Sequence, residues 1–165
     1  EPLRMDKSLI VALDAPQIRE NPELYLVGMG EDCNFETTEK LPALWQRFNA
    51  RVGEITQIGD RCAYGVCVPN GPPGHFHYIA AVAADRGAAI PDGMEDITLA
   101  ARRHAVFLHK GHISDFGKTV YTIWNKALAE HGLDPQCGVA DFERYDHRFN
   151  AETGRGEVEI WVPVK

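Results

Sequence analysis

The chain has 165 residues, of which 44% are hydrophobic and 25% charged, and a formal net charge of −7 at pH 7. This composition fits one globular domain whose core needs neither disulfides nor a structural metal. The acidic balance argues against direct nucleic-acid binding, which requires a basic surface. The chain also lacks an apolar run near the ~18 residues of a membrane span.

The first half predicts a strand, a helix and two more strands. An extended arm reaches to about Glu20, and a strand follows over residues 24–30. Thr37 or Thr38 is expected to cap a helix, because apolar side chains then recur at helical spacing: Leu41, Leu44, Trp45, Phe48, Val52 and Ile55. Strands are predicted over 64–68 and 76–84, joined by the proline- and glycine-rich turn Pro69–Gly74.

The second half predicts the same order of elements. A linker over about 85–97, rich in turn residues, leads into one long strand over 98–110. Ser114 is expected to cap a second helix and Gly132 to end it. Its buried stripe is predicted as Phe116, Val120, Ile123, Trp124, Ala127 and Leu128. Two strands, 139–145 and 157–164, close the chain.

The two halves therefore form an internal repeat with a period of about 79 residues, over 17–84 and 98–165. Trp45 matches Trp124, and residues 75–84 match residues 156–165. Duplicated units tend to pack about a pseudo-two-fold axis, and pockets are favoured at the interface between them. The repeat thus predicts a ligand-binding cleft between the halves.

Three motifs of the second half resemble the GyrI-like effector-binding family. They are the helix entry Gly111–Asp115, the Glu-x-Tyr of Glu143 and Tyr145, and the closing strand EIWVPV over residues 159–164. Such domains are the ligand-sensing part of AraC- and MerR-type multidrug-responsive regulators, and they also occur alone. With no DNA-binding module visible, the chain looks most like the integron-cassette effector-binding proteins.

The resemblance implies an α+β fold: a duplicated βαββ unit with pseudo-two-fold symmetry, antiparallel sheets, two long helices and a central ligand cleft. It implies a small-molecule binding protein for amphipathic, often cationic, compounds, without a cofactor. The partners would be such compounds and, in addition, a transcription regulator or DNA gyrase. The resemblance covers the chain from about Gln17 onward.

Glu143 is the acidic residue that the resemblance assigns to the ligand. Residues i and i+2 of a strand share a face, so Glu143 and Tyr145 are predicted to lie side by side. A carboxylate among aromatic rings attracts a lipophilic cation through charge and cation–π interactions. The alternative is an ordinary surface glutamate paired with Arg144 or Arg148.

Glu159 and Trp161 repeat this pattern on the last strand, with a solvated edge carboxylate as the alternative. Trp45 and Trp124 are candidates for the pocket wall or, at helical spacing, for the core. Tyr78 and Phe76 share a strand face and are candidates for the opposite wall.

Metal and enzyme motifs are weak in this sequence. His75 and His77, and His109 and His112, are spaced for ligation of a metal or haem, but a zinc site needs three or four ligands, so we expect surface or turn histidines instead. Two alternatives to a binding protein stay open. One is a hydrolase of reactive electrophiles with Glu143 as general base beside Tyr145, and the other is a protein-interaction module.

The cysteine pattern indicates a reducing compartment. Cys33, Cys62, Cys67 and Cys137 contain no C-x-x-C pair, and no secretory signal is visible. Free thiols are the rule in the cytoplasm. We therefore expect a cytoplasmic protein without disulfides.

Overall fold

The computed structural model describes residues 6–34, 37–59 and 61–165. Within these ranges one antiparallel sheet contains nine strands. They are β1 (Gln17–Asn21), β2 (Leu24–Asn34), β3 (Ala63–Pro69), β4 (His75–Ala83), β5 (Glu95–Leu99), β6 (Arg102–His112), β7 (Asp141–Tyr145), β8 (Phe149–Asn150) and β9 (Arg155–Pro163).

The strand order shows the predicted symmetry. The sheet runs β1-β6-β9-β7-β3-β4-β2-β5, with β8 beside β9. Strands β1, β2, β3 and β4 of the first half correspond, in that order, to β5, β6, β7 and β9 of the second half. With this correspondence, the strand order is the same from either edge of the sheet. The central strands are β3 and β7, and there Gly65 pairs with Glu143. The predicted α+β fold is confirmed, whereas the exact boundaries of the two halves stay a prediction.

Two helical segments cover one face of the sheet. Helix α1 (Leu41–Arg51) follows a 3-10 turn and carries Pro42 in its first turn, where the missing N–H costs nothing. It buries Leu44 and Phe48 against β2 and β4. Helix α2 (Phe116–Thr122) continues through a π-helical turn (Ile123–Ala127) into α3 (Leu128–Glu130), and this segment packs on β6 and β9.

The opposite face of the sheet has its own apolar cluster, made almost entirely of strand residues. It includes Leu26, Tyr64, Val66, Ile79, Val106, Phe142 and Trp161. Burial of each large side chain of this kind contributes about 1.5–3 kcal/mol. The sheet therefore has apolar clusters on both of its faces, so a polar side chain buried in its centre must be explained.

One predicted strand is wrong. Residues 98–110 form two strands, because the chain crosses between opposite halves of the sheet at Ala100 and Ala101. Strand β5 pairs with β2 of the first half, while β6 pairs with β9 and β1. The predicted N-terminal arm likewise contains a strand, β1, which completes the other edge. Local patterns could not show this exchange of edge strands.

Neither predicted cap residue makes a capping hydrogen bond to its helix, since each helix is entered through a 3-10 turn, and Thr37 flanks the first of these turns. Ser114 lies inside the turn Ile113–Asp115, and its N–H donates to Nδ1 of His112 at 3.0 Å. The Thr37 hydroxyl accepts from the N–H of Asn34 at 2.9 Å and makes no cap bond. At the other end Gly132, with φ of +66°, ends the second segment as predicted.

Three further expectations concern the cysteines, the histidines and membrane spans. All four cysteines are free, as predicted. His109 is buried rather than on the surface, with Nδ1 2.7 Å from the Thr119 hydroxyl and Nε2 2.9 Å from the carbonyl oxygen of His112. Every helix within the described ranges is too short or too polar to cross a bilayer.

Candidate functional site

Strand β7 separates its side chains onto two faces of the sheet. Glu143 lies opposite Gly65 of β3 and Ile160 of β9, on the face that the helices cover. By alternation Asp141 and Tyr145 share that face. Glu143 is only 9% exposed. The predicted neighbourhood of Glu143 and Tyr145 is present beneath helix α1, with Glu143 buried and Tyr145 half-buried.

A chain of hydrogen-bond donors converges on the Glu143 carboxylate. The Tyr145 hydroxyl donates to Oε1 at 2.8 Å, and the Tyr78 hydroxyl donates to the same oxygen. Nε1 of Trp45 in turn donates to the Tyr78 hydroxyl at 3.1 Å. Two donors on one oxygen match the acceptor capacity of an ionised carboxylate. Four of the eight predicted site residues thus form one cluster, which we call the Glu143 cluster: Trp45, Tyr78, Glu143 and Tyr145.

The aromatic rings near this carboxylate pack against one another edge to face. The Trp45 ring centroid lies 5.5 Å from that of Tyr145 and 6.4 Å from that of Tyr78, with interplanar angles of 69° and 72°. Tyr145 also contacts Phe149 at 5.2 Å. Phe76 packs, partly buried, against the same apolar core as Trp45 and Tyr78. Such rings present electron-rich faces, the arrangement that attracts an organic cation.

Gly65 makes room for the cluster, a role that the sequence analysis missed. A Cβ atom at Gly65 would collide with the Tyr78 hydroxyl and with Oε1 of Glu143. The missing side chain opposite Glu143 lets the carboxylate and both tyrosines occupy one space in the sheet centre. A glycine inside an otherwise apolar strand is the available signal, because it often marks a close approach.

Burial dominates the electrostatics of the site. It raises the pKa of Glu143 from 4.5 to about 7, although the hydrogen bonds from Tyr78 and Tyr145 oppose that rise. Burial likewise raises the pKa of Asp141 from 3.8 to about 7, against the hydrogen bond from the Cys67 thiol. In the part of the chain that the structure describes, neither carboxylate forms an ion pair.

Asp141 and Cys67 are further members of this buried polar region that the sequence analysis did not single out. They pair directly across β3 and β7. Burial raises the pKa of the Cys67 thiol well above 9, and the neighbouring carboxylates add to that rise. Burial also raises the pKa of both tyrosine hydroxyls. The thiol and the hydroxyls therefore stay neutral, and the carboxylates are the charge-bearing groups.

Glu159 and Trp161 lie on the opposite face of the sheet, away from Glu143. Nε1 of Trp161 donates to Glu159 at 3.0 Å, and Glu159 also accepts from Arg144 at 3.2 Å and from Arg148 at 2.9 Å. The arginines that were alternative partners of Glu143 thus neutralise Glu159. This carboxylate is buried and paired, which fits a structural role.

Trp124 is not part of the Glu143 cluster. It lies in the π-helical turn and is 44% exposed. The neighbouring Ile123 points into the core instead. Trp45 and Trp124 thus occupy matching positions in the repeat but different environments. The buried face of the second helical segment consists of Thr119, Ile123 and Ala127, which leaves Trp124 outside it.

Comparison with protein families gives a match over residues 14–165 to the GyrI-like small molecule binding domain. The chain belongs to this family. The transcriptional regulator BrlR of Pseudomonas aeruginosa is 35% identical over 150 residues, which cover 90% of this chain. They cover 54% of BrlR, so the chain spans about half the length of that relative.

Solved structures show the same fold. SAV2435 bound to tetraphenylphosphonium superposes with a TM-score of 0.76 at 22% identity, covering 92% of this chain and 94% of that one. An integron cassette protein from the mobile metagenome of Vibrio cholerae gives 0.66 at 17% identity, with 93% and 97% covered. A hydrolase from Listeria innocua gives 0.55 at 9% identity, with 92% of both chains covered.

Proposed function

We propose that this GyrI-like domain binds amphipathic organic cations, with the Glu143 carboxylate as the charge partner and Trp45, Tyr78 and Tyr145 as the aromatic walls. The observation that carries the proposal is a buried carboxylate that two tyrosines hydrogen-bond and no described basic side chain neutralises. A buried charge without a counter-ion is costly, and a bound cation removes that cost.

The magnitudes fit a binder of broad range. A cation 4 Å from the carboxylate gains roughly 4 kcal/mol at an effective dielectric constant near 20, before desolvation is subtracted. Each aromatic face adds about 0.5–2 kcal/mol. The charge of the carboxylate and the aromatic faces contribute most of this binding energy, so cations of different shape can share the site. The small exposure of Glu143 means that a bulky cation must displace the Trp45 or Tyr145 ring.

The relatives support the same proposal. SAV2435 has the fold of this chain and was solved with tetraphenylphosphonium, a lipophilic cation. BrlR is a transcriptional regulator, about half of which this chain matches. We therefore propose drug sensing or sequestration as the role, with a transcription regulator as the protein that responds to ligand occupancy.

The test compares tetraphenylphosphonium with tetraphenylborate, which has nearly the same shape and the opposite charge. Isothermal titration calorimetry should give saturable binding of the cation alone. Glu143→Gln should weaken that binding at least about tenfold, and the control Glu130→Gln, at an exposed helix position, should leave it unchanged. Equal binding of both ions, or no effect of Glu143→Gln, contradicts the proposal.

A hydrolase is the second candidate, favoured by the raised pKa of Glu143. A carboxylate whose pKa lies near 7 suits a general base at neutral pH. In that case Glu143 would take a proton from water as the water oxygen attacks an epoxide carbon and the carbon–oxygen bond of the epoxide breaks, and the resulting alkoxide would take that proton back from Glu143, directly or through a water molecule, to give a diol and the ionised carboxylate. Diol formation measured by mass spectrometry, lost in Glu143→Gln and kept in Glu130→Gln, would favour this reading.

A further inference from the structure

A cavity lies on the face of the sheet opposite the Glu143 cluster. Its volume is about 250 Å³, and its lining includes Arg19 of β1, Leu24 of β2, Tyr64 of β3, Arg144 of β7 and Trp161 of β9. We call it the Arg19 groove. Arg144 and Glu143 are consecutive on β7, so the two sites lie on opposite sides of one strand. The hydrogen bonds of the Glu143 cluster join Trp45, Tyr78 and Tyr145, none of which lines the groove.

The floor of the Arg19 groove is a stack of two aromatic rings. The Phe142 and Trp161 rings lie 5.4 Å apart with an interplanar angle of 12°. His104 contacts both rings edge to face, at 5.4 and 5.6 Å. Tyr64 packs against Phe142 at 5.8 Å. A flat ring suits this aromatic floor, because side chains that already pack against one another have little rotamer freedom left to lose on binding.

Arg19 differs from the other cations of this region. Arg144 and Arg148 are bound to the carboxylates of Asp146 and Glu159. The guanidinium of Arg19 donates to the neutral amide oxygen of Gln17 and lies 5.9 Å from the Trp161 ring centroid. Within the described residues it forms no ion pair. A positive charge thus lies at the rim, above the aromatic floor.

We propose that the Arg19 groove binds a small planar aromatic carboxylate, its ring against the aromatic wall and its carboxylate on the guanidinium of Arg19. Arginine presents a planar fork of N–H donors that matches a carboxylate with two parallel hydrogen bonds. Pockets for drug-sized ligands have volumes of about 300–1,000 Å³, so a cavity of about 250 Å³ suits a smaller molecule of one or two rings. This site has the opposite charge preference to the Glu143 cluster.

The test follows the indole N–H signal of Trp161 by two-dimensional NMR during titration with 2-naphthoate. The three tryptophan signals are assigned with Trp45→Phe and Trp124→Phe variants. We expect a saturable shift of the Trp161 signal with 2-naphthoate and none with neutral 2-naphthamide or ring-free hexanoate. Equal shifts with the naphthoate and the amide, or no saturable shift, overturn the proposal.

Arg19→Gln should weaken naphthoate binding at least about tenfold, as expected for the loss of a charged hydrogen-bond pair. Arg86→Gln is the matched control, since Arg86 also lies over a ring, that of Tyr25, at 4.6 Å, but outside the groove. Unchanged affinity in Arg19→Gln, or an equal loss in Arg86→Gln, contradicts the assignment. Both side chains are on the surface, so the fold should survive.

The same variants separate this site from the cation site. Glu143→Gln should retain naphthoate binding within about twofold, and Arg19→Gln should retain tetraphenylphosphonium binding, because the two sites lie on opposite faces of the sheet. Loss of naphthoate binding in Glu143→Gln would place the anion in the Glu143 cluster and refute the Arg19 groove. Failure of cation binding alone would leave the anion site unaffected.

Discussion

Replacement of Glu143 by glutamine should change how the stability of the domain depends on pH. The folded protein holds the Glu143 proton more tightly than the unfolded chain, since burial raises the pKa from 4.5 to about 7. The unfolded chain therefore releases this proton first as the pH rises. Stability contributed by the protonated carboxyl is present below pH 4.5 and is lost as the pH rises through 7.

The size of the effect follows from that shift. One pKa unit corresponds to 1.36 kcal/mol, so a rise from 4.5 to about 7 represents on the order of 3 kcal/mol lost between pH 4 and pH 8. Glutamine resembles the protonated carboxyl in shape and is never charged. Its Oε1 can still accept from Tyr78 and Tyr145. The variant should therefore be more stable than the wild-type domain at pH 8, and the difference should fall to about 1 kcal/mol at pH 5.

Urea unfolding followed by circular dichroism at pH 5, 6, 7 and 8 measures this difference. Asp141 has a similarly raised pKa and is present in both proteins, so subtraction of the two curves isolates most of the Glu143 contribution. Glu130→Gln, exposed on α3, is the control and should give a flat difference. A Glu143→Gln difference that is constant with pH would refute the reasoning that this carboxylate is buried without a counter-ion.

Other substitutions test the packing of the site. Gly65→Ala should destabilise the domain by about 1–3 kcal/mol in urea unfolding and weaken tetraphenylphosphonium binding, because its Cβ collides with Tyr78 and Glu143; a neutral result would mean that the sheet centre is not tightly packed. Ile123→Ala should cost about 2–5 kcal/mol and Trp124→Ala less than about 1 kcal/mol, since only Ile123 is fully buried; equal costs would contradict the orientation of that helix. Trp45→Phe removes the donor to Tyr78 and should cost about 1 kcal/mol by the same assay.

Alternation along strands was the most dependable sequence signal for the site. It predicted that Glu143 and Tyr145 share a face, and the hydrogen bond between them shows that they do. It also predicted that Glu159 and Trp161 share a face. It could not say which of these pairs faces the helices, because the sheet is apolar on both sides and both patterns look alike.

The sequence by itself determined the local order of elements, the repeat and the family, since each depends on spacing along one stretch of chain. Only the tertiary structure decided that Tyr78 and Tyr145, 67 residues apart in the chain, donate to one oxygen of Glu143. It also decided that Glu159 is neutralised by arginines, and that Gly65 leaves the space for the cluster. These contacts depend on the register between strands of different halves. That register, rather than the neighbouring residues in sequence, leaves the Glu143 carboxylate without an ion-pair partner among the described residues.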